Sequence, residues 1–172
     1  MSYTEWPPFA IGVLILMMLI GGGIGSTAGG LKLSRVYLML RITMQNIRKR
    51  LSPTRKIEVP YYMKAQGKTP IDTTLAADTI GFVGCYFGLF IIGSLLTTLT
   101  AKCTLSEAMF EFASALGTVG LSIGLTTPAT GTATLIVEMF GMIFGRLEIF
   151  IVFIGAYCGF TMIKERFQKS IT

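Results

Sequence analysis

The stretch GGGIGSTAGGLK, residues 21–32, decides the fold of this chain. Six of its twelve residues are glycine, and it follows the apolar run PFAIGVLILMMLI at residues 8–20. Glycine adopts backbone conformations that other residues avoid, and it weakens a helix interior. The pattern therefore predicts an apolar helix that breaks at residues 21–30 and resumes as the segment LKLSRVYLMLR at residues 31–41.

The composition is that of an integral membrane protein. Of the 172 residues, 52% are hydrophobic and only 14% are charged, which is too few charges for the surface of a soluble domain. Residues 80–100 carry no charge and are long enough to span a bilayer, and residues 132–160 are a second candidate. We therefore predict an all-α integral membrane protein. We predict no enzyme activity, because the sequence contains no catalytic constellation.

The charges predict the orientation of the chain in the membrane. Residues 32–68 contain ten basic residues and one acidic residue, and the C-terminal tail is also basic. Because cytoplasmic loops are enriched in Lys and Arg, this places residues 32–68 and the C-terminus in the cytoplasm and the N-terminus outside. A loop held between two spans is a poor nucleic-acid site, so we predict no nucleic-acid partner. The three cysteines have no metal or redox spacing, and the chain has no His.

The glycine stretch has alternative interpretations. Gly23 to Ala28 fits the dinucleotide-binding pattern, but an apolar helix precedes it rather than a strand, and a phosphate-binding loop would need Lys where Leu31 stands. Close helix packing through the small residues Gly21 and Gly25 stays open. Ser26 and Thr27 would be polar at membrane depth, which favours a role in a pore.

A second non-helical segment follows a short helix near the C-terminal side. Thr104-Leu-Ser-Glu107 fits a helix-capping box, and the helix that it starts has about a dozen residues, or about 18 Å. That length does not cross a hydrocarbon core of about 30 Å. The glycine-containing sequence GTVGLSIG follows at residues 117–124, between two full spans. This order predicts a re-entrant pore loop, since non-helical backbone at membrane depth lies within protein or lines a water-filled cavity.

The candidate ion-binding residues lie in this loop. A potassium filter replaces hydration water with backbone carbonyls, and its known sequence TVGYG shares its first three residues with this chain. We predict K⁺ binding at the backbone carbonyls of a filter strand formed by Thr118, Val119, Gly120, Leu121 and Ser122. A glycine-containing hairpin that only packs between helices remains the alternative.

Arg146 is the other candidate functional residue. Counted at about 1.5 Å per residue from the predicted outer ends of their helices, Gly21 and Arg146 lie at similar depths, about 18 and 21 Å. An Arg within a span should face a cavity or a partner, and the carbonyls of a broken helix are suitable partners. Glu138 lies on roughly the same helix face, nearer the outside, whereas Glu148 points elsewhere. A purely structural ion pair for Arg146 stays open.

These motifs resemble those of the Trk/Ktr/HKT superfamily of potassium transporters, specifically its TrkH/KtrB-type membrane subunits. The resemblance rests on IGGGIGSTAGGLK at residues 20–32, SALGTVGLSIG at residues 114–124 and FGRLEIF at residues 144–150. It extends over essentially the whole chain. In that family, four M1–pore–M2 repeats in one polypeptide surround a central pore.

The resemblance implies a role for each part of the chain. Residues 1–41 would be the broken M2 helix of the third repeat, residues 42–71 a basic cytoplasmic connector, and residues 72–172 the complete fourth repeat with a short cytoplasmic tail. Gly120 would be the key glycine of the fourth filter strand. The implied gating residues are Gly21, Gly22, Gly23, Gly25, Ser26, Thr27, Ala28, Gly29, Gly30 and Arg146.

The resemblance also implies partners. It implies potassium uptake across the cytoplasmic (inner) membrane, contact with membrane lipid, and a dimeric assembly when the transporter is complete. A cytoplasmic regulatory subunit of the TrkA/KtrA type would bind the nucleotide, so no cofactor is expected on this chain. Two and a half repeats are not in this sequence, which suggests a truncated product, a fragment or part of a split transporter. A homotetrameric pore and a nonconducting fragment that only binds a partner remain alternatives.

Overall fold

This computed structural model describes residues 6–23, 25–51, 61–64, 67–127 and 129–146, together with residues 155, 157, 158, 161 and 162. The described chain is mostly helical, in agreement with the predicted fold class. Its elements are α1 (Pro8–Leu19), α2 (Leu33–Leu51), β1 (Tyr61–Lys64), β2 (Gly67–Pro70), α3 (Thr73–Ala101), α4 (Leu105–Gly117) and α5 (Thr132–Arg146). Glu148 and the C-terminal tail lie outside the described residues.

Helix α1 is short because glycine follows it. Pro8 occupies its first turn, where the missing amide hydrogen has no intrahelical partner to lose. The helix has 12 residues, about 18 Å, and ends before the glycines. Ile20 then pairs with Leu31 in an isolated parallel bridge, which brings the two ends of the glycine stretch together.

Helix α2 and a hairpin occupy the region predicted as the basic connector. Helix α2 continues to Leu51, beyond the boundary predicted at residue 41. Strands β1 and β2 form an antiparallel hairpin, which the sequence analysis did not predict. The Arg35 guanidinium lies 3.8 Å from the centre of the Phe82 ring, and this cation–π contact attaches α2 to α3.

Among the described helices, α3 is the one whose length and hydropathy suffice to cross a membrane. Asp72 caps it by accepting hydrogen bonds from the Thr74 hydroxyl at 2.9 Å and the Thr73 amide at 2.7 Å, and these bonds lower the pKa of Asp72. Polar residues inside α3 satisfy themselves locally. The hydroxyls of Ser94 and Thr97 each donate to the carbonyl four residues back, at 2.7 and 2.9 Å.

Helix α4 lies at the centre of the fold and contacts α1, α3 and α5. The Phe112 ring of α4 is held between two glycines, Gly93 of α3 and Gly141 of α5. A Cβ atom built on Gly93 would overlap the Phe112 ring, and one on Gly141 would lie 2.9 Å from it. The absence of side chains at these two positions therefore lets both helices approach α4 closely.

Gly93→Ala should destabilise the fold, because the new methyl group overlaps the Phe112 ring, whose outer edge already lies close to Gly141. Overpacking of this kind costs about 1–3 kcal/mol. Gly88→Ala in the same helix is the control, since a Cβ there meets nothing within 4 Å. Unfolding of both variants in detergent, followed by circular dichroism, should give a lower midpoint for Gly93→Ala alone. Equal midpoints would contradict the close packing.

Candidate functional site

Helix α4 ends at the candidate site. It begins with the predicted capping box, in which Glu107 accepts hydrogen bonds from the Thr104 hydroxyl at 2.6 Å and the Thr104 amide at 2.8 Å. These bonds lower the pKa of Glu107, the hydroxyl contributing most. The helix has 13 residues, about 20 Å, and nearly all of its second half is buried. It is therefore a short buried helix of the predicted kind.

The segment after α4 has an unusual backbone at two of the predicted filter residues. Thr118 has φ 51° and Gly120 has φ 84°, both in the left-handed region. The amides of Thr118 and Val119 donate back to α4 carbonyls, at 3.1 and 2.9 Å. The left-handed conformation is costly for β-branched Thr118. At Gly120 the same conformation accounts for the glycine, because there is space for a Cβ and only the backbone angle disfavours one.

The glycine stretch forms a loop whose two ends are joined by hydrogen bonds. The Gly21 amide donates to the Leu31 carbonyl at 2.9 Å, and the Leu31 amide donates to the Leu19 carbonyl at 3.0 Å. The Tyr86 hydroxyl of α3 donates to that same Leu19 carbonyl at 3.1 Å. Within the loop, the Ser26 hydroxyl accepts a hydrogen bond from the Ala28 amide at 3.2 Å. Ser26 thus satisfies part of the exposed backbone of the loop.

The loop contacts the start of the predicted filter segment, residues 118–122. The Gly29 amide donates to the Thr118 hydroxyl at 2.9 Å, and the Gly30 amide donates to the Gly145 carbonyl at 3.2 Å. A Cβ on Gly29 would lie 2.6 Å from Thr118 Oγ1, so the approach requires glycine. The structure therefore brings together three stretches that are far apart in sequence: the glycine loop, the first filter residue and the neighbour of Arg146.

Four of the five predicted filter residues and Arg146 share one cavity. The cavity has a volume of about 750 Å³ and is lined by Glu111, Ser114, Ala115, Thr118, Gly120, Leu121, Ser122, Thr126, Glu138, Met142, Ile143 and Arg146. Val119 and the glycine-loop residues do not line it. Among the described residues, the Arg146 side chain makes no hydrogen bond to the loop; the backbone of Gly145 makes that contact instead.

The structure also places two buried carboxyl groups beside the filter segment. Glu111 and Glu138 are each only 3% exposed. From the sequence, Glu138 was predicted on the face of Arg146 without a role of its own, and no role was predicted for Glu111. In the sequence, Glu111 stands out as the single acidic residue in the apolar stretch AMFEFASAL at residues 108–116.

The fold and the cavity are those of a helical membrane protein that carries non-helical backbone between its helices. The sequence profile of the TrkH family, described as cation transport proteins, matches residues 1–158. The chain belongs to the TrkH family.

Named relatives agree with this assignment. The Trk system potassium uptake protein TrkH of Halomonas elongata is 29% identical over 157 residues, covering 88% of this chain and 31% of that protein. The Ktr system potassium uptake protein B of Bacillus subtilis is 32% identical over 131 residues, covering 73% of this chain and 26% of that protein. The crystal structure of the potassium transporter TrkH from Vibrio parahaemolyticus superposes with a TM-score of 0.73 at 25% identity, covering 90% of this chain and 32% of that one. The chain thus spans about a third of the length of the relatives that it matches.

Thr118→Val should loosen the glycine loop, because it removes the oxygen that accepts from the Gly29 amide while keeping a β-branched side chain. Loss of one such hydrogen bond should speed hydrogen exchange of the Gly29 amide by up to about tenfold. Thr118→Ser keeps the hydroxyl and is the matched control. Mass-spectrometric exchange on both variants tests the contact, and unchanged exchange in Thr118→Val would contradict it.

Proposed function

We propose that this chain is the C-terminal part of a channel-like potassium transporter and contributes one strand to its selectivity filter. The observation that carries the proposal is the left-handed backbone at Thr118 and Gly120, in a segment that lines a cavity at the end of a short buried helix. A filter coordinates dehydrated K⁺ through carbonyl oxygens, which needs such an irregular backbone at membrane depth. The names of the relatives, potassium uptake proteins, support the choice of ion.

One strand does not enclose an ion, so the proposal requires further strands. We assign residues 72–172 to the fourth M1–pore–M2 repeat, residues 1–41 to the M2 helix of the third repeat, and residues 42–71 to a cytoplasmic connector. The other repeats of the transporter would complete the ring. The exposed apolar side chains on the helices, such as Leu95, Leu99 and Phe140, would then contact either lipid or these repeats.

The glycine loop acts as a gate beneath the filter. Two hydrogen bonds, from the amides of Gly29 and Gly30, hold the loop against Thr118 and Gly145. At about 0.5–1.5 kcal/mol each, they can be broken and remade by thermal motion. A loop held so weakly can move aside on the microsecond-to-millisecond scale of collective motions.

Arg146 opposes cation entry by its charge. It lines the same cavity as the filter residues, and its side chain makes no hydrogen bond to the loop among the described residues. Two unit charges 4 Å apart interact by about 4 kcal/mol at an effective dielectric of 20, and by less at larger separations. Because about 1.4 kcal/mol corresponds to a tenfold change in rate, even a distant Arg146 affects flux.

The remaining assignments follow from the charge pattern and the family. The chain lies in the cytoplasmic membrane in contact with lipid, with its N-terminus outside and its C-terminus in the cytoplasm. A regulatory subunit of the TrkA/KtrA type binds nucleotide on the cytoplasmic side, and the complete transporter is a dimer. The chain itself is not an enzyme and carries no cofactor; K⁺ is the transported ion.

Growth of bacterial cells that lack their own potassium uptake systems tests the proposal. One strain expresses this chain alone, and another expresses a chimera, the Halomonas elongata relative with its matched C-terminal part replaced by this chain. Growth at low K⁺ with the chimera alone is the expected result. Growth with the chain alone would instead indicate a homotetrameric pore, and an inserted but inactive chimera would indicate a nonconducting chain.

Gly120→Ala in the chimera should lower the preference for K⁺ over Na⁺, because it places a side chain at φ 84°. The left-handed conformation costs a residue with a Cβ about 1–2 kcal/mol, which the strand relieves by changing its backbone. Gly25→Ala is the control, since Gly25 has φ 86° and equally open space but lies in the gating loop. Competitive ⁸⁶Rb⁺ and ²²Na⁺ uptake should reveal altered selectivity for Gly120→Ala alone. Unaltered selectivity would remove the filter assignment.

Arg146→Ala in the chimera should increase K⁺ flux, by up to about tenfold if the barrier falls by about 1.4 kcal/mol. Arg146→Lys should resemble the parent, because it keeps the charge. Deletion of residues 26–28 should also raise flux, and the two effects should add in free energy since the side chain and the loop act separately. Loss of insertion in Arg146→Ala would instead identify a structural ion pair.

A further inference from the structure

The segment that follows the filter residues wraps around a single carboxylate. Glu111 of α4 accepts hydrogen bonds from the Ser122 hydroxyl at 2.6 Å, the Ile123 amide at 3.1 Å and the Thr126 amide at 3.2 Å. The Thr126 hydroxyl oxygen is also close to this carboxyl group, 2.5 Å from Glu111 Oε1. Two amides and two hydroxyls thus converge on a side chain that is 3% exposed.

The Thr126 hydroxyl also touches a second carboxyl group. Its oxygen lies 2.8 Å from Glu138 Oε1 and 2.5 Å from Glu111 Oε1. A hydroxyl carries one hydrogen, so it can donate to only one of these two carboxyl groups. The other short oxygen–oxygen distance requires a hydrogen supplied by the carboxyl group itself. Two buried carboxylates at this separation would also repel each other strongly if both were ionised.

The hydrogen-bond partners indicate which carboxyl group holds the proton. Glu111 has four donors, whereas Thr126 is the one hydrogen-bond partner of Glu138 within the part of the chain that the structure describes. We propose that Glu138 is protonated at neutral pH and donates to the Thr126 hydroxyl, which in turn donates to the Glu111 carboxylate. This proton relay is a static chain of hydrogen bonds from Glu138 through Thr126 to Glu111. It holds Ser122–Thr126 in place, the segment that continues the filter strand outward. Glu111 and Glu138 are then positioning residues, and their effect on ions rests on the proposed function.

Few other charges act on the pair within the described ranges of the chain. Helix α1 has no ionisable side chain, and on α3 Asp78 and Cys85 are exposed while Tyr86 donates to the Leu19 carbonyl. On α4, Glu107 lies one turn outward and is engaged in the capping box, with Cys103 just before it. On α5, Arg146 lines the same cavity about 12 Å along the helix from Glu138. At this distance Arg146 acts only weakly on the pair compared with the repulsion between the two carboxyl groups, which the Thr126 hydroxyl bridges.

Removal of the shared proton at alkaline pH has a defined consequence. With both carboxyl groups ionised, the Thr126 hydroxyl can bind only one of them, and repulsion drives the other away. The hydrogen bonds from the Ile123 and Thr126 amides to Glu111 then weaken. The hydrogen bonds that hold Ser122–Thr126 should therefore be fully formed at neutral pH and weaken as the pH rises. Glu138→Gln keeps a donor toward Thr126 without a proton to lose, so it should remove this pH dependence.

The full chain in lipid nanodiscs permits a test that needs no transport. Infrared spectroscopy at neutral pH should detect the C=O stretch of one buried protonated carboxyl group, and this band should be absent in Glu138→Gln. Hydrogen exchange at the Ile123 and Thr126 amides, corrected for the free-peptide rate at each pH, should be at least about tenfold less protected at alkaline pH in the parent. Protection should be retained and constant in Glu138→Gln. Glu107→Gln, on the same helix as Glu111, is the control that should keep both the band and the pH dependence.

The results separate this inference from the proposed function. No protonated carboxyl band in the parent, a band that survives in Glu138→Gln, or protection independent of pH would each overturn the proton relay. In the chimera, the preference for K⁺ over Na⁺ should fall at alkaline pH in the parent and stay constant in Glu138→Gln. A band and a pH-dependent protection without any change in selectivity would support the relay and contradict the filter assignment instead.

Discussion

The hydrogen bond from the Gly29 amide to the Thr118 hydroxyl joins the two segments of this chain that leave helical structure between apolar helices. Hydrocarbon offers no partner to backbone amides and carbonyls, so any break in a helix at membrane depth must be satisfied by protein or by trapped water. Here the two breaks partly satisfy each other. The glycine loop closes on itself through Gly21 and Leu31, and its far side binds the first residue of the filter segment. The conformation of each segment therefore depends on its contact with the other.

The same constraint accounts for the buried carboxyl groups. The amides of Ile123 and Thr126 have no helix to pair with, and Glu111 supplies their acceptor. A carboxylate in such a place is costly unless it collects several donors, which the two hydroxyls of Ser122 and Thr126 provide. Residues 122–126 and helix α4 are therefore held together by a polar centre among mostly apolar side chains. Removing Glu111 would leave the amides of Ile123 and Thr126 without their acceptor.

The sequence was sufficient where local rules decide. The glycine run fixed the end of α1, and Thr104 with Glu107 marked the start of α4, because caps and glycine breaks act within a few residues. The hairpin and the extension of α2 to Leu51 were not predicted, since the basic residues there indicate a side of the membrane rather than a backbone conformation. Glu111 was missed because its donors come from residues 122–126, whose path in space no periodicity encodes. The proximity of the loop to Arg146 was predicted from depth alone, but the contact is made by the Gly145 carbonyl, which accepts from the Gly30 amide. The missing Cβ of Gly29 leaves room for this approach on the loop side.

The contact between Gly117 and the Met18 carbonyl has an electrostatic consequence. A Cβ on Gly117 would overlap that carbonyl, so the C-terminal ends of α1 and α4 meet almost backbone to backbone. Each helix C-terminus carries a macrodipole charge of about −0.5, and the two charges fall at one place beside Thr118. This field is made of peptide groups, which do not titrate and are not removed by side-chain substitution. The fold therefore offers a standing attraction for cations that persists whatever residues line the cavity.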